Sequence, residues 1–236
     1  LKQNCNFTLG FLLDKCTLQV YNAQLLAFCD TFDCDNADLN DFFRDDALNY
    51  QSELLGKTYC FTLDENPKII VCAFTISNDS IKTTHLPNSR KKKVIQEIPR
   101  QKQMRSYPAV LIGRLGVNRN YRFIQGETER TGKQLMDFIK SWFIDGANKT
   151  GCRFIVVDSY NTQGPLKYYA DNEFVPLFST EDQEKEFTGL KPDDSLATRL
   201  MYYDLIVLSR ESNQANNESN KSTCSRIVDF IKNLFS

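Results

Sequence analysis

The chain has 236 residues, with 29 Lys and Arg against 30 Asp and Glu, one His, and a formal net charge of −1. That balance excludes a protein drawn as a whole to nucleic acid or to an anionic membrane, while leaving local basic patches open. Hydrophobic residues make up 41% of the chain, including 17 Phe, enough for the core of one large or two small domains.

No apolar run approaches the ~18 residues of a membrane span, so no membrane partner and a cytoplasmic location are expected. The opening Leu1-Lys-Gln-Asn-Cys-Asn6 lacks the charged-then-apolar order of a secretory signal and has no initiator Met, which points to a trimmed start. The eight cysteines (Cys5, Cys16, Cys29, Cys34, Cys60, Cys72, Cys152 and Cys224) form no C-x-x-C pair. They read as small buried hydrophobes in a reducing compartment, and no metal site is expected. His85 lies in a loop-like stretch, Lys82-Thr-Thr-His-Leu-Pro-Asn88, and no nucleophile elbow accompanies it.

Residues 1–30 read as a strand followed by a short helix. Asp35-Asn-Ala-Asp38 supplies side-chain acceptors for a helix start. Leu39, Phe42, Phe43, Ala47, Leu48, Tyr50 and Leu54 follow at helical spacing, with Gly56 as the expected stop. Lys57–Leu63 and Lys68–Ile76 read as a hairpin turning at Asp64-Glu-Asn-Pro67. Residues 77–105 are polar. The run Arg90-Lys-Lys-Lys93 before Val94, Ile95 and Ile98 is either a solvated loop with one helical turn or a basic face for nucleic acid.

Tyr107–Val117 reads as a strand carrying Val110, Ile112, Leu115 and Val117. Gln125-Gly126-Glu-Thr-Glu-Arg-Thr-Gly132-Lys133 follows and runs straight into a helix. Glycines there let the chain turn, and the helix start offers unpaired N–H groups to an anion. From Thr131 to Gly146 a broad apolar stripe (Leu135, Met136, Phe138, Ile139, Trp142, Phe143, Ile144) predicts a core-facing helix in which Trp142 packs. Cys152–Asp158 is a near-continuous apolar run, as in a central strand. A short helix with the pair Tyr168-Tyr169 comes next, and Arg199–Leu208 is the last strand. Residues 209–222 read as a polar linker. Residues 223–236 read as a short amphipathic helix, with Ile227, Val228, Ile231, Leu234 and Phe235 on one side; it docks either on the protein's own body or on a partner or second copy.

This order resembles the GNAT acetyltransferases, the acetyl-CoA-dependent N-acetyltransferase superfamily. The resemblance rests on Ile112-Gly-Arg-Leu-Gly-Val-Asn-Arg-Asn-Tyr-Arg122, Gly132-Lys-Gln-Leu-Met-Asp-Phe-Ile139, Phe154-Ile-Val-Val-Asp158 and Tyr168-Tyr-Ala-Asp-Asn-Glu-Phe174. Phe32–Ala47 resembles the opening helix of the subgroup that includes the acetyltransferase toxins of toxin–antitoxin pairs. The resemblance implies an α+β fold, a central, mostly antiparallel mixed sheet flanked by helices, with residues 1–208 as the acetyltransferase domain.

It implies acetyl-CoA as acyl donor, its pyrophosphate held by Arg122, Thr131, Gly132 and Lys133. The loop is longer than the family's and carries Glu127 and Glu129, which would repel a pyrophosphate if they faced it. Leu115, Gly116 and Val117 are implied to pair with the pantetheine arm through their backbone, and Asn161 to reach it by its side chain. Counting back from Phe174 assigns Tyr169 as the acid that protonates the departing thiolate, although Glu173 stands where the family prefers Gly. No general base is evident: Asp158 ends its strand near the expected place but serves equally as a cap. Cys152 is a poor nucleophile, so direct attack in a ternary complex is the implied route, with strand N–H groups stabilising the oxyanion.

The acceptor is left open among a small amine, a peptide or protein, and an aminoacyl-tRNA. A tRNA would meet a basic face drawn from Arg90 to Lys93, Arg100, Lys102 and Arg105. A homodimer and an antitoxin are candidate partners. The rival readings are a non-catalytic binding module of the same fold that has lost its cofactor, and an enzyme using another acyl-CoA.

Overall fold

The computed structural model describes residues 10–84, 86–96, 98, 105–148 and 150–210. In hydrogen-bonding order its strands run β1 (Cys16–Val20), β2 (Lys57–Leu63), β3 (Asn66–Lys82), β4 (Ser106–Val117), β5 (Phe154–Tyr160), β7 (Thr198–Asp204) and β6 (Val175–Pro176), and the chain forms two compact units. Among the pairings with described registers, β4 with β5 is parallel and the others are antiparallel, so the expected mixed, mostly antiparallel α+β fold is present.

Of the described residues, the first unit takes 10–77, 113–148 and 206–210. A short helix α1 (Phe11–Lys15) leads into β1 (Cys16–Val20), which pairs with β2 (Lys57–Leu63) from Cys16–Leu63 to Val20–Tyr59. The strand-then-helix reading holds, since α2 (Ala23–Phe28) follows, capped by Asn22 accepting from the Leu25 N–H. In β2 successive side chains serve opposite faces. Phe61 meets Phe138 and Tyr59 meets Trp142, both on α6 (Thr131–Ile144), at ring separations of 5.0 and 4.9 Å. Cys60 turns the other way, into a core with Tyr21, Phe32, Phe42, Phe43 and Ala47. Trp142 therefore packs, as its place on the apolar stripe predicts.

The helix expected from Asp35 onward is present in three pieces: α3 (Ala37–Asp41), a π-helical turn (Phe42–Asp46) and α4 (Ala47–Ser52). Its cap is Asn36, whose side chain accepts from the Leu39 N–H at 3.0 Å. The stop is not Gly56. Leu54 takes the left-handed position at φ 58°, while Gly56 lies against β3, where a Cβ would sit 3.1 Å from the Ile76 carbonyl oxygen.

The second unit takes residues 78–112 and 150–205. Here β4 (Ser106–Val117) pairs with β5 (Phe154–Tyr160) from Ala109–Phe154 to Ile112–Val157, before β4 continues into the first unit. β5 is buried from Phe154 to Val157 and pairs on its other side with β7 (Thr198–Asp204), which also carries the short β6 (Val175–Pro176). Three expectations change. β3 (Asn66–Lys82) is 17 residues long and runs well into the stretch read as polar loop. The basic run forms α5 (Asn88–Ile95), anchored by the buried Val94 in a core with Tyr107, Phe154 and Phe178. The last strand stops at Asp204, and Leu205–Arg210 turn helical. A helix without an expectation, α8 (Glu181–Thr188), starts at Thr180, whose hydroxyl accepts from the Gln183 N–H, and ends at the left-handed Gly189. His85, most of the expected linker and the helix expected over 223–236 lie outside the described residues.

Candidate active site

In the first unit the end of β4 holds Leu115, Gly116 and Val117. Gly116 is there for space: a Cβ would lie 3.2 Å from Cys34 Sγ and from the Phe32 ring. The chain leaving β4 is fastened at once. Asn118 donates its N–H to the Val71 carbonyl and its side-chain amide to that of Ile70, and the Arg119 N–H bonds the Asp33 carbonyl. Asp33 carries this brace. It accepts from the Asp35 N–H and from Asn40, both at 2.9 Å, and faces Arg119 at 3.1 Å. The Asp35 N–H above all, then Asn40, holds the Asp33 carboxyl below the usual carboxylate range.

Arg122, expected on a pyrophosphate, donates to the Cys34 carbonyl at 2.5 Å and sits 3.3 Å from Asp35. Between Arg122 and α6 the loop turns at Gly126, whose φ of 91° requires glycine. Arg130 lies over the exposed Phe123 ring at 4.3 Å. Thr131 is buried, and its hydroxyl donates to the Tyr121 carbonyl, latching the helix start to the short 3-10 turn Arg119–Tyr121. No side chain caps α6, which leaves its first turn suited to an anion. Gly132 lies in that turn. The Lys133 N–H donates to the Arg130 carbonyl at 2.9 Å and its ammonium pairs with Asp137.

Glu127, which would repel a pyrophosphate if it faced one, accepts from the Gln134 side-chain amide at 3.3 Å. Gln134 had no assigned role in the sequence, yet it is buried and its carbonyl accepts from the Leu12 N–H at 2.8 Å. Its signal was a polar residue inside an apolar stripe.

In the second unit Tyr169 lies on α7 (Gln163–Asp171), its ring 5.4 Å from Phe174 and 5.1 Å from Tyr168. Glu173 adopts φ 65°, the left-handed conformation that glycine favours, and the Phe174 N–H closes the turn on the Tyr169 carbonyl at 3.0 Å. The turn thus has the shape a glycine would give, without one. Tyr169 as a residue is partly exposed, but burial around its phenol pushes the pKa up. Asn161 spends its side-chain amide on Glu181 at 3.1 Å and the Leu196 carbonyl at 3.0 Å, and its N–H on Ala197 at 2.9 Å.

Asp158 is exposed at the Leu200 register of β7. Behind it stands a group that sequence did not flag. Glu184 of α8 is 2% exposed and bonds Arg199 Nε at 2.7 Å and the Leu200 N–H. Cys152 donates to the Phe154 carbonyl at 3.1 Å, and burial pushes its thiol up to about 11, the wrong direction for a nucleophile. The basic face changes too. Arg90 is bound to the Pro176 and Leu177 carbonyls and Lys91 is half-buried, leaving Lys92, Lys93 and Arg105 exposed; Arg100 and Lys102 lie outside the described residues. Among the described residues no group of three or more His, Cys, Asp or Glu could hold a metal ion.

No family model matches the chain, and no curated protein does. Solved structures do. A Tyr-to-Phe mutant of KacT is similar with a TM-score of 0.57 and 16% identity, covering 84% of this chain and 99% of that one. AtaT complexed with acetyl-methionyl-tRNAfMet is similar with a TM-score of 0.57 and 16% identity, covering 83% and 98%. AtaTR bound with AcCoA gives 0.53 and 15%, covering 84% and 98%. The chain therefore shares the fold of these KacT and AtaT structures.

Proposed function

We propose that this chain is an acetyl-CoA-dependent N-acetyltransferase whose acceptor is the amino group of an aminoacyl-tRNA. One observation carries the reading: over four-fifths of the chain shares its fold with AtaT, which is described in complex with acetyl-methionyl-tRNAfMet. The sequence leaves a small amine, a peptide or protein and an aminoacyl-tRNA open as acceptors; this likeness favours the tRNA. AtaT is also described bound to the C-terminus of the antitoxin AtaR, which supports a protein antitoxin as a partner here.

Bound acetyl-CoA supplies an acetyl group activated as a thioester. Two features support such a donor: α6 starts without a side-chain cap, and Glu127 is engaged with Gln134, while Arg122 and Lys133 stand paired with Asp35 and Asp137. The phosphates would lie at the start of α6, beside Thr131 and Gly132, with Arg122 and Lys133 exchanging their carboxylate partners for the phosphate oxygens. Backbone groups of Leu115, Gly116 and Val117 would orient the pantetheine arm. Tyr169 keeps its proton on Oη at neutral pH, since its pKa lies above the ordinary phenol value. With the donor bound, it would give that proton to the departing sulfur as the amine displaces the thiolate from the acetyl carbon, and would recover a proton from water. The attacking amine, which must be neutral, loses its own proton to water.

Calorimetric titration of the protein with acetyl-CoA, with plain CoA alongside, tests the donor half. Micromolar binding is expected. No binding up to millimolar donor would replace this reading with the non-catalytic module.

A further inference from the structure

Arg114 has no role in the reading above. It lies on β4 between Gly113 and Leu115, on the same face of the strand as Gly116. That face looks toward the 32–50 segment: the space beside Gly116 is filled by Phe32 and Cys34, and the Arg114 guanidinium lies 5.0 Å over the Phe42 ring. Phe42 is 5% exposed, opens the π-helical turn, and is buttressed edge-on by Phe43 and Tyr50 at 5.5 and 5.2 Å. Irregular turns of this kind recur at functional sites.

The polar accounting of this side chain is incomplete. Nη1 donates to the carbonyl of its own neighbour Gly113 at 2.8 Å. Nε is buried without a partner, and among the described residues no carboxylate lies within ion-pair distance. Arg44, Arg119, Arg122, Arg153 and Arg199 each have one. Among the described residues Nη2 has no hydrogen-bond partner, and it is not one of the buried unpaired atoms. A half-buried guanidinium, fixed by an aromatic platform and left without a counter-charge, is costly in the free protein. It is also pre-organised for an anion, whose oxygens a guanidinium matches in geometry and charge.

We infer that Arg114 is the acceptor-anchoring residue, binding a phosphodiester near the aminoacylated 3′ end of the tRNA. The inference rests on the aminoacyl-tRNA reading. The acyl-ester end of that acceptor has no free carboxylate, so its anions are the backbone phosphates. Arg114 is then a positioning and specificity residue: it touches the acceptor and takes no proton.

The test compares the full-length protein with Arg114→Gln and Arg114→Lys on two acceptors: an aminoacyl-tRNA, and the same amino acid esterified to adenosine, which lacks phosphate. Arg114→Gln is expected to raise KM for the tRNA roughly tenfold to a hundredfold and to shrink the salt dependence of kcat/KM by about one counterion. Acetyl-CoA affinity and activity on the adenosine ester are expected to stay at the wild-type level, with Arg114→Lys intermediate. An unchanged tRNA KM in a variant that still binds acetyl-CoA would overturn the inference alone. Equal losses on both acceptors would make Arg114 structural, and a fall in acetyl-CoA affinity would assign it to the donor. A wild-type protein that acetylates the ester but no tRNA would overturn the reading and the inference with it.

Discussion

Removing the Glu184 carboxylate is the sharpest test of how the second unit is held together. Its side chain is 3% exposed and that of Arg199 13% exposed, with 2.7 Å between them, and the second carboxylate oxygen takes the Leu200 N–H of β7. Glu184→Ala strands the guanidinium in a place with little water. Breaking a buried pair in this way costs about 3–5 kcal/mol; with Arg199 also near the Phe178 carbonyl at 3.4 Å and the exposed Glu181 at 3.8 Å, about 3 kcal/mol is expected. Glu181→Ala, removing the longer and exposed contact, should cost less than about 1 kcal/mol. Glu184→Met combined with Arg199→Met should cost less than Glu184→Ala alone, because no unpaired charge remains.

Burial pushes the Glu184 pKa up despite the Leu200 N–H and Arg199. Its folded pKa therefore lies above the unfolded one. The part of its stability linked to protonation is complete below the unfolded value of about 4.3 and is lost as pH rises through the folded value, while the Arg199 pair that Glu184→Ala removes persists above it. Glu184→Gln should remove that dependence. Urea unfolding followed by circular dichroism at several pH values measures all of this. A loss below about 1 kcal/mol for Glu184→Ala would refute the argument.

Tyr169→Phe should lower turnover tenfold or more with acetyl-CoA affinity little changed. Because the pKa of that phenol is raised, the wild-type rate should show no alkaline fall from it below about pH 10; a limb near pH 8 that vanishes in the variant would contradict the raised pKa. Glu173→Gly should raise stability by about 0.5–1 kcal/mol, since φ 65° suits glycine, and a destabilised variant would show that the Glu173 side chain matters more than its backbone. Gly116→Ala should cost about 1–3 kcal/mol by crowding Phe32 and Cys34; unchanged thermal melting would mean the neighbours yield freely.

The parts of this fold legible in the sequence were those where local pattern and tertiary role agree. The stripe on α6, the unbroken apolar run of β5 and the Asx start near Asn36 each dictate one structure. What escaped depended on distant partners. β3 continues past Ile76 through the polar Ser77, Asn78 and Asp79, because strand pairing satisfies the backbone whatever the side chains are. Gly56 drew attention as a helix stop, yet Leu54 accepts the left-handed turn. α8 is mostly charged, and the one residue that fixes it, Glu184, looks like the other acids beside it until β7 arrives. The start of a helix at Thr131 and the short helix that carries Tyr169 were legible from spacing. That Arg122 and Asn161 would have partners from residues 34–35 and 181–196 is a matter of long-range contact, which no local pattern encodes.

The most direct test of the central claim is transfer of radiolabelled acetyl from acetyl-CoA to purified aminoacyl-tRNA by the wild-type protein, with deacylated tRNA and free amines run beside it. The account expects label on the amino group of the aminoacyl-tRNA, none on deacylated tRNA, and a steep loss of rate with added salt. Label appearing only on free amines or on protein, or on nothing despite tight acetyl-CoA binding, would contradict it.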